Sequence, residues 1–173
     1  MSLGSTTWLR SPEPQRRFGV KGPRAAELLV QLALTVPATS NSWSPLRDRD
    51  RDDSWNVIAR LGSTEFFIEE GGDASGIAAL EKLTREGVPG AFPVLREDFA
   101  AVLGGPLALD VLAQVCNVNF AALPEHAVVM TLMIGVAVLV MPQETDEGRV
   151  YRIWCDPSFG SYLKSELEKM VNQ

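Results

Sequence analysis

Side chains able to do chemistry are few in this sequence, and they stand far apart. His126 is the single histidine among 173 residues. An imidazole works as a general base only beside a nucleophile or a substrate proton. No Ser or Cys motif points toward His126, so it reads as a loop residue ahead of a strand, not as a triad member or metal ligand. Cys116 and Cys155 lack the paired spacing of a metal site. They read as free, buried small hydrophobes at the end of a helix and of a strand, with Arg152 the one nearby source of positive charge for Cys155. The acidic pairs Glu69-Glu70 and Glu97-Asp98 fall at element ends. Adjacent strand residues face opposite sides, so neither pair makes a shared acid-base site and both read as solvated. Gly71-Gly72 and Gly104-Gly105 lack the lysine and wider spacing of a phosphate loop and read as turns. Met130, Met133 and Met141 read as core filling. No catalytic residue and no metal ligand is assigned, and the cofactor-binding residues stay unknown.

The elements that would position these groups come as two copies of one unit. Val20-Lys21-Gly22-Pro23-Arg24-Ala25-Ala26-Glu27-Leu28-Leu29 lies without a gap on Leu103-Gly104-Gly105-Pro106-Leu107-Ala108-Leu109-Asp110-Val111-Leu112. Each copy predicts a strand, a glycine turn, a proline in the first helical position and a helix with one apolar stripe: Ala25, Leu28, Leu29 and Leu32, or Ala108, Val111, Leu112 and Val115. In the first unit, Trp55–Leu61 and Thr64–Glu69 predict a hairpin about Gly62-Ser63, followed by a helix through Arg85 capped by Asp73 and stopped at Gly87. In the second, Phe92–Leu103 predicts one extended strand. Val128–Met141 predicts two buried strands about Gly135, since its fourteen residues fall short of the roughly 20 that span a membrane as a helix. Asp146-Glu147-Gly148 predicts a turn, Arg149–Cys155 a strand, and Asp156-Pro157 the start of a last helix with Phe159, Leu163, Leu167 and Met170 as its buried stripe.

The remaining segments are polar. Residues 1–16 read as a flexible lead-in, whose only bulky apolar residues, Trp8 and Leu9, read as a small strap across the domain or as disordered and not as a ligand site, with residues 17–173 forming one domain built of repeats at about 17–88 and 91–173. Residues 36–54, ending in the alternating run Arg47-Asp48-Arg49-Asp50-Arg51-Asp52-Asp53, read as a long solvated loop. A formal net charge of −6 argues against an extended nucleic-acid surface. No secretory signal is read at the N-terminus, so a reduced, cytoplasmic setting is expected. Each helix has one stripe to bury, which implies an α+β fold of two similar half-domains, mostly antiparallel sheet with helices packed on it.

The order of these parts resembles the gamma subunit of heterotetrameric sarcosine oxidase, a family similar to the folate-binding domain of the glycine cleavage system aminomethyltransferase. The likeness is carried by the two strand-Gly-Pro-helix units, by Arg60-Leu61-Gly62-Ser63-Thr64-Glu65-Phe66-Phe67-Ile68, by the Gly-centred second hairpin and by the closing strand and helix. It covers Arg17 to Val171 and implies an aminomethyltransferase-like fold. It also implies larger partner subunits carrying FAD, FMN, NAD and zinc, and leaves tetrahydrofolate as a possible ligand. The sequence departs from the aminomethyltransferases where they place an acid after the second hairpin glycine. Here Gly135 is followed by Val136-Ala137-Val138-Leu139-Val140-Met141. The Lys-Gly-Cys-x-x-Gly-Gln signature of the iron-sulfur-assembly relatives is also missing around Cys116. The resemblance therefore implies a non-catalytic gamma-type subunit of a sarcosine oxidase-like flavoenzyme in one-carbon metabolism, with a stand-alone tetrahydrofolate-binding protein or one-carbon transferase as the alternative. Neither nucleic acid nor a membrane is expected as a partner.

Overall fold

The computed structural model describes residues 6–47 and 55–173. The chain forms two compact units: a middle unit, Glu13–Arg96, and a terminal unit, Met1–Pro12 with Glu97–Gln173. The part of the charged run at residues 48–54 lies outside the described residues.

In the middle unit the chain runs β2 (Arg16–Lys21), α1 (Ala25–Gln31), β3 (Ser42–Pro45), β4 (Val57–Arg60), β5 (Glu65–Glu70), α2 (Ser75–Glu86) and β6 (Phe92–Leu95). The sheet order is β3-β4-β5-β2-β6, antiparallel throughout. Alternation along the strands turns Phe18, Val20, Ile58, Phe66 and Ile68 toward Leu28 and Leu29 of α1 and Ile77 and Leu80 of α2, one continuous core. Each such side chain contributes about 1.5–3 kcal/mol on burial.

The terminal unit contains β1 (Trp8–Arg10), β7 (Phe99–Gly104), α3 (Ala108–Val115), β8 (Val129–Met133), β9 (Val136–Thr145), β10 (Gly148–Cys155) and α4 (Gly160–Val171). Its order, β1-β7-β10-β9-β8, is again antiparallel. Leu103, Val136, Val138, Val140, Tyr151, Ile153 and Cys155 pack with Val111 and Leu112 of α3 and Leu163 and Leu167 of α4.

Both Gly-Pro turns stand at a strand exit and a helix entry. Gly22 has φ +123° and Gly105 has φ +98°, conformations open to glycine because they crowd any Cβ. The Ala25 N–H donates to the Gly22 carbonyl at 3.0 Å and the Ala108 N–H to the Gly105 carbonyl at 3.2 Å. That closed turn takes up the proline, so each helix begins two residues after it and not at it.

Chain order and sheet membership part at the edges. Phe92–Leu103 is not one strand: β6 pairs with β2 in the middle unit, whereas β7 pairs with β1 and β10 in the terminal unit. The charged Arg96-Glu97-Asp98 falls at the break. Conversely β1, which precedes β2 in the chain, pairs with β7. β6 thus opens the second repeat yet belongs to the middle sheet, β1 lies ahead of the first repeat yet belongs to the terminal sheet, and the repeat boundaries at 17–88 and 91–173 do not coincide with the units. The expected lead-in is corrected at the same place. Thr7 Oγ1 accepts from the Leu107 N–H at 2.9 Å, Trp8 lies where a Cβ on Gly104 would otherwise stand, and the Arg10 guanidinium stacks 3.7 Å from the Trp8 ring. Three residues are fixed as a strand by groups that the sequence alone does not bring near them.

Smaller corrections follow the same logic. The loop expected from residue 36 contains β3, with Trp43 buried on it. The β4–β5 turn closes at the Leu61 N–H to the Glu65 carbonyl, 2.9 Å, one residue wider than Gly62-Ser63. Met133 and Met141 are buried, but Met130 is exposed because it lies on the face of β8 that turns away from the helices. Phe159 is exposed as well, since residues 157–159 form a single 3₁₀ turn before α4. Asp156 caps that turn as expected, its carboxylate accepting from the Ser158 N–H at 2.8 Å.

Candidate functional site

The polar residues that the fold gathers are ones whose neighbours in sequence give no hint of it. Glu69 and Glu70, expected in solvent, are 0% and 2% exposed at the end of β5. Glu70 Oε1 accepts from Arg47 Nη1 at 2.7 Å and from the Gly76 N–H at 3.2 Å, and Oε2 accepts from the Ile77 N–H at 2.8 Å. These amides belong to the first turn of α2, where the helix leaves donors without internal partners and its dipole favours negative charge. Asp73, the expected cap, reaches only the Ser75 N–H, at 3.2 Å. Ala74, the residue preceding the helix, sits in the left-handed region and offers no side-chain cap. Glu70 supplies what both lack. Gly76 keeps the space open: a Cβ there would stand 2.6 Å from Arg47 Nη2 and 3.0 Å from Glu70 Oε2.

Glu69 faces the other side of β5 and pairs with Arg17, its direct neighbour across the β2–β5 ladder. On that face Arg96 lies 5.7 Å from the Phe67 ring centre and 3.5 Å from Glu65 Oε1. A buried carboxylate is tolerated when an opposite charge and donors replace its water. Glu69 and Glu70 are therefore committed to internal partners, and their arrangement ties strand, loop and helix together.

The terminal unit buries a different set. Arg152 is 1% exposed; it donates to Gln143 Oε1 at 3.3 Å and its guanidinium lies 5.0 Å from the Trp154 ring. It projects from the opposite face of β10 to Cys155 and gives that thiol no activation. Burial, with smaller contributions from the charges of Asp156 and Asp98, pushes the Cys155 thiol up to about 11. A thiol so placed is protonated at neutral pH and is no nucleophile. Cys116, also buried, lies 3.6 Å from Thr131 Oγ1. Burial likewise raises the Tyr151 phenol, whose ring meets Phe120 edge-on at 5.7 Å.

His126 stands apart from both sets. It occupies a left-handed turn position with φ +62°, about half exposed, and its Nε2 lies 3.7 Å from Glu125. Glu97 is exposed and Asp98 half-buried. Gly71-Gly72 and Gly104-Gly105 lie in turns or at a strand end, as expected. Among the described residues no group of His, Cys, Asp and Glu is placed to hold a metal ion, and no helix is long and apolar enough to cross a membrane. Glu70 carried one overlooked sequence signal, a carboxylate just ahead of a helix start. Arg47, Arg152 and Gln143 carried none.

No protein-family model matches the chain, and no curated protein matches its sequence. Solved structures do match its fold, which among the described residues is an α+β arrangement of two antiparallel sheets with four α-helices. A chain of the heterotetrameric sarcosine oxidase from Corynebacterium sp. U-96, in complex with pyrrole 2-carboxylate, superposes with a TM-score of 0.76 at 17% identity, over 96% of this chain and 84% of that one. The glycine cleavage system aminomethyltransferase T from Bartonella henselae superposes with a TM-score of 0.72 at 20% identity, over 95% of this chain and 46% of that one. This chain thus spans just under half of aminomethyltransferase T. The fold expected from the two Gly-Pro units, the aminomethyltransferase type, is the fold observed.

Proposed function

We propose that this chain is a non-catalytic, gamma-type subunit of a heterotetrameric sarcosine oxidase-like flavoenzyme of one-carbon metabolism, working on sarcosine or a similar methylamine in the cytoplasm. The observation that carries this reading is extent. The fold is shared over 84% of a sarcosine oxidase chain, whereas aminomethyltransferase T has more than half its length beyond the match. One fold shared over most of such a chain suits the same place in an assembly. In it, FAD, FMN, NAD and zinc belong to the larger subunits, and this chain completes an interface.

The interior chemistry is consistent with that division of labour. The buried carboxylates have internal partners and the Cys155 thiol is raised, so neither supplies a ready base or nucleophile.

The likeness to aminomethyltransferase T favours one other reading, a tetrahydrofolate-binding protein or one-carbon transferase acting alone. The residues present do not fit the carboxylate that the resemblance places in the second hairpin. Val136, Val138 and Val140 point into the helix-side core, and Ala137 and Leu139 occupy the other face of β9. None has a side-chain donor, acceptor or titratable group.

Co-expression with candidate large subunits of such a flavoenzyme from the same organism tests the proposal. The expected result is one complex containing this chain and oxidising a methylated amine, with no such activity in the isolated chain. Separate elution at micromolar concentration, or one-carbon transfer to tetrahydrofolate by the chain alone, would overturn it.

A further inference from the structure

Among the described residues the two sheets have four edge strands, and three of them are blunted. β3 ends in Pro45, β6 contains Pro93, and β1 is three residues long and carries Arg10. Proline and charge on an edge strand prevent another strand from adding to it. β8, Val129–Met133, has neither. The whole stretch from Ala127 to Gln143 contains no charged side chain.

Its ladder leaves specific groups pointing outward. Ile134 and Gly135, with φ +51° and +80°, make a two-residue turn closed by the pair Met133 and Val136. In an antiparallel ladder closed this way, hydrogen-bonded pairs alternate with non-bonded ones. Met133, Thr131 and Val129 bond inward to β9, and the N–H and C=O groups of Met130 and Leu132 face the free edge. These two residues are 59% and 62% exposed, and their side chains lie opposite Leu139 and Ala137 on one face. At the open end of the hairpin the strip is flanked by Glu125, whose side chain is 77% exposed, whereas Glu144 of β9 is already paired with Arg149 at 2.7 Å. The turn end has no charge.

We infer that the free edge of β8 takes up an extended apolar strand of a partner subunit, one carrying Lys or Arg beside the end that meets Glu125. The inference rests on the subunit reading above and names the surface through which the assembly forms. Backbone groups of Met130 and Leu132 hold the added strand, the uncharged strip receives its alternate side chains, and Glu125 fixes its direction. A second copy of this chain offers an equally apolar strand but no basic flank.

Hydrogen exchange on the complex with the cognate large subunits tests this. The amides of Met130 and Leu132 should exchange at least tenfold more slowly than in the isolated chain. Leu132→Pro removes one outward N–H without touching the inward ladder and should weaken the complex about tenfold, the worth of one hydrogen bond; Leu132→Val should not. A complex in which both amides exchange as in the isolated chain overturns this inference and leaves the subunit reading standing. So does an isolated chain that dimerises with both amides protected. Failure of any complex to form overturns both.

Discussion

When Gly22 is laid on Gly105, the middle and terminal units match strand for strand, and the ladders then align their interiors residue by residue. Phe66 falls on Tyr151, Phe67 on Arg152, Ile68 on Ile153, Glu69 on Trp154 and Glu70 on Cys155. The aligned positions are all buried, yet the groups filling them differ in kind. At the entry to its second helix the middle unit uses Glu70, a buried carboxylate paired with Arg47. The terminal unit has an uncharged thiol at that position and caps its helix entry from Asp156, one residue on, through a 3₁₀ turn. A shared topology fixes which positions are inside and where helix donors need a partner. It does not fix which group answers them.

The largest test of this contrast compares Glu70→Ala with Cys155→Ala. The first leaves Arg47 beside an empty site and strips the cap from α2, and should cost about 3–5 kcal/mol, the usual penalty for breaking a buried pair. The second removes a small apolar group and should cost about 1 kcal/mol. Denaturant unfolding measures both, and equal losses would erase the distinction between the units.

Where the units are alike, substitution should act alike. A Cβ on Gly105 would stand 2.6 Å from the Thr6 carbonyl oxygen, and one on Gly22 would meet the Gly90 carbonyl oxygen, so each collides with the backbone leading to or from its unit's edge strand. Gly22→Val and Gly105→Val should each lose at least about 1–3 kcal/mol from backbone strain. If only one melts early, the turns are not equivalent.

A smaller effect separates the units by pH. The Cys155 thiol has an ordinary value of 9.0 and is held at about 11 in the fold. Between these values the folded state binds more protons than the unfolded state, so stability that is present below pH 9 falls as the pH rises toward 11. Cys155→Ala should flatten that decline in melting temperature, and an unchanged decline would place its origin elsewhere. The smallest effect is expected at His126, in neither buried set. His126→Ala should shift stability by no more than about 0.5 kcal/mol, within the range of surface substitutions.

Much of this was readable in the sequence where the signal is local. The Gly-Pro helices, the strands on either side of Gly135 and the Asp156 cap each depend on residues within a few positions of one another. The exchange of β1 and β6 was not, because strands of three and four residues carry no period and their partners lie far along the chain. Glu70 shows the same limit in the site. Its carboxylate looks like surface until Arg47, 23 positions earlier, and the amides of α2 are brought to it. Alternation correctly separated Glu69 from Glu70 onto opposite faces; it could not say that both faces are buried.

The central claim is that this chain does its work inside an assembly, and native mass spectrometry after co-expression with the proposed large subunits tests it most directly. The expected spectrum shows one copy of this chain bound with flavin-carrying partners, together with a separate control in which the isolated chain carries no flavin. A spectrum in which the large subunits assemble and oxidise their amine without this chain, while it remains free, would contradict the account.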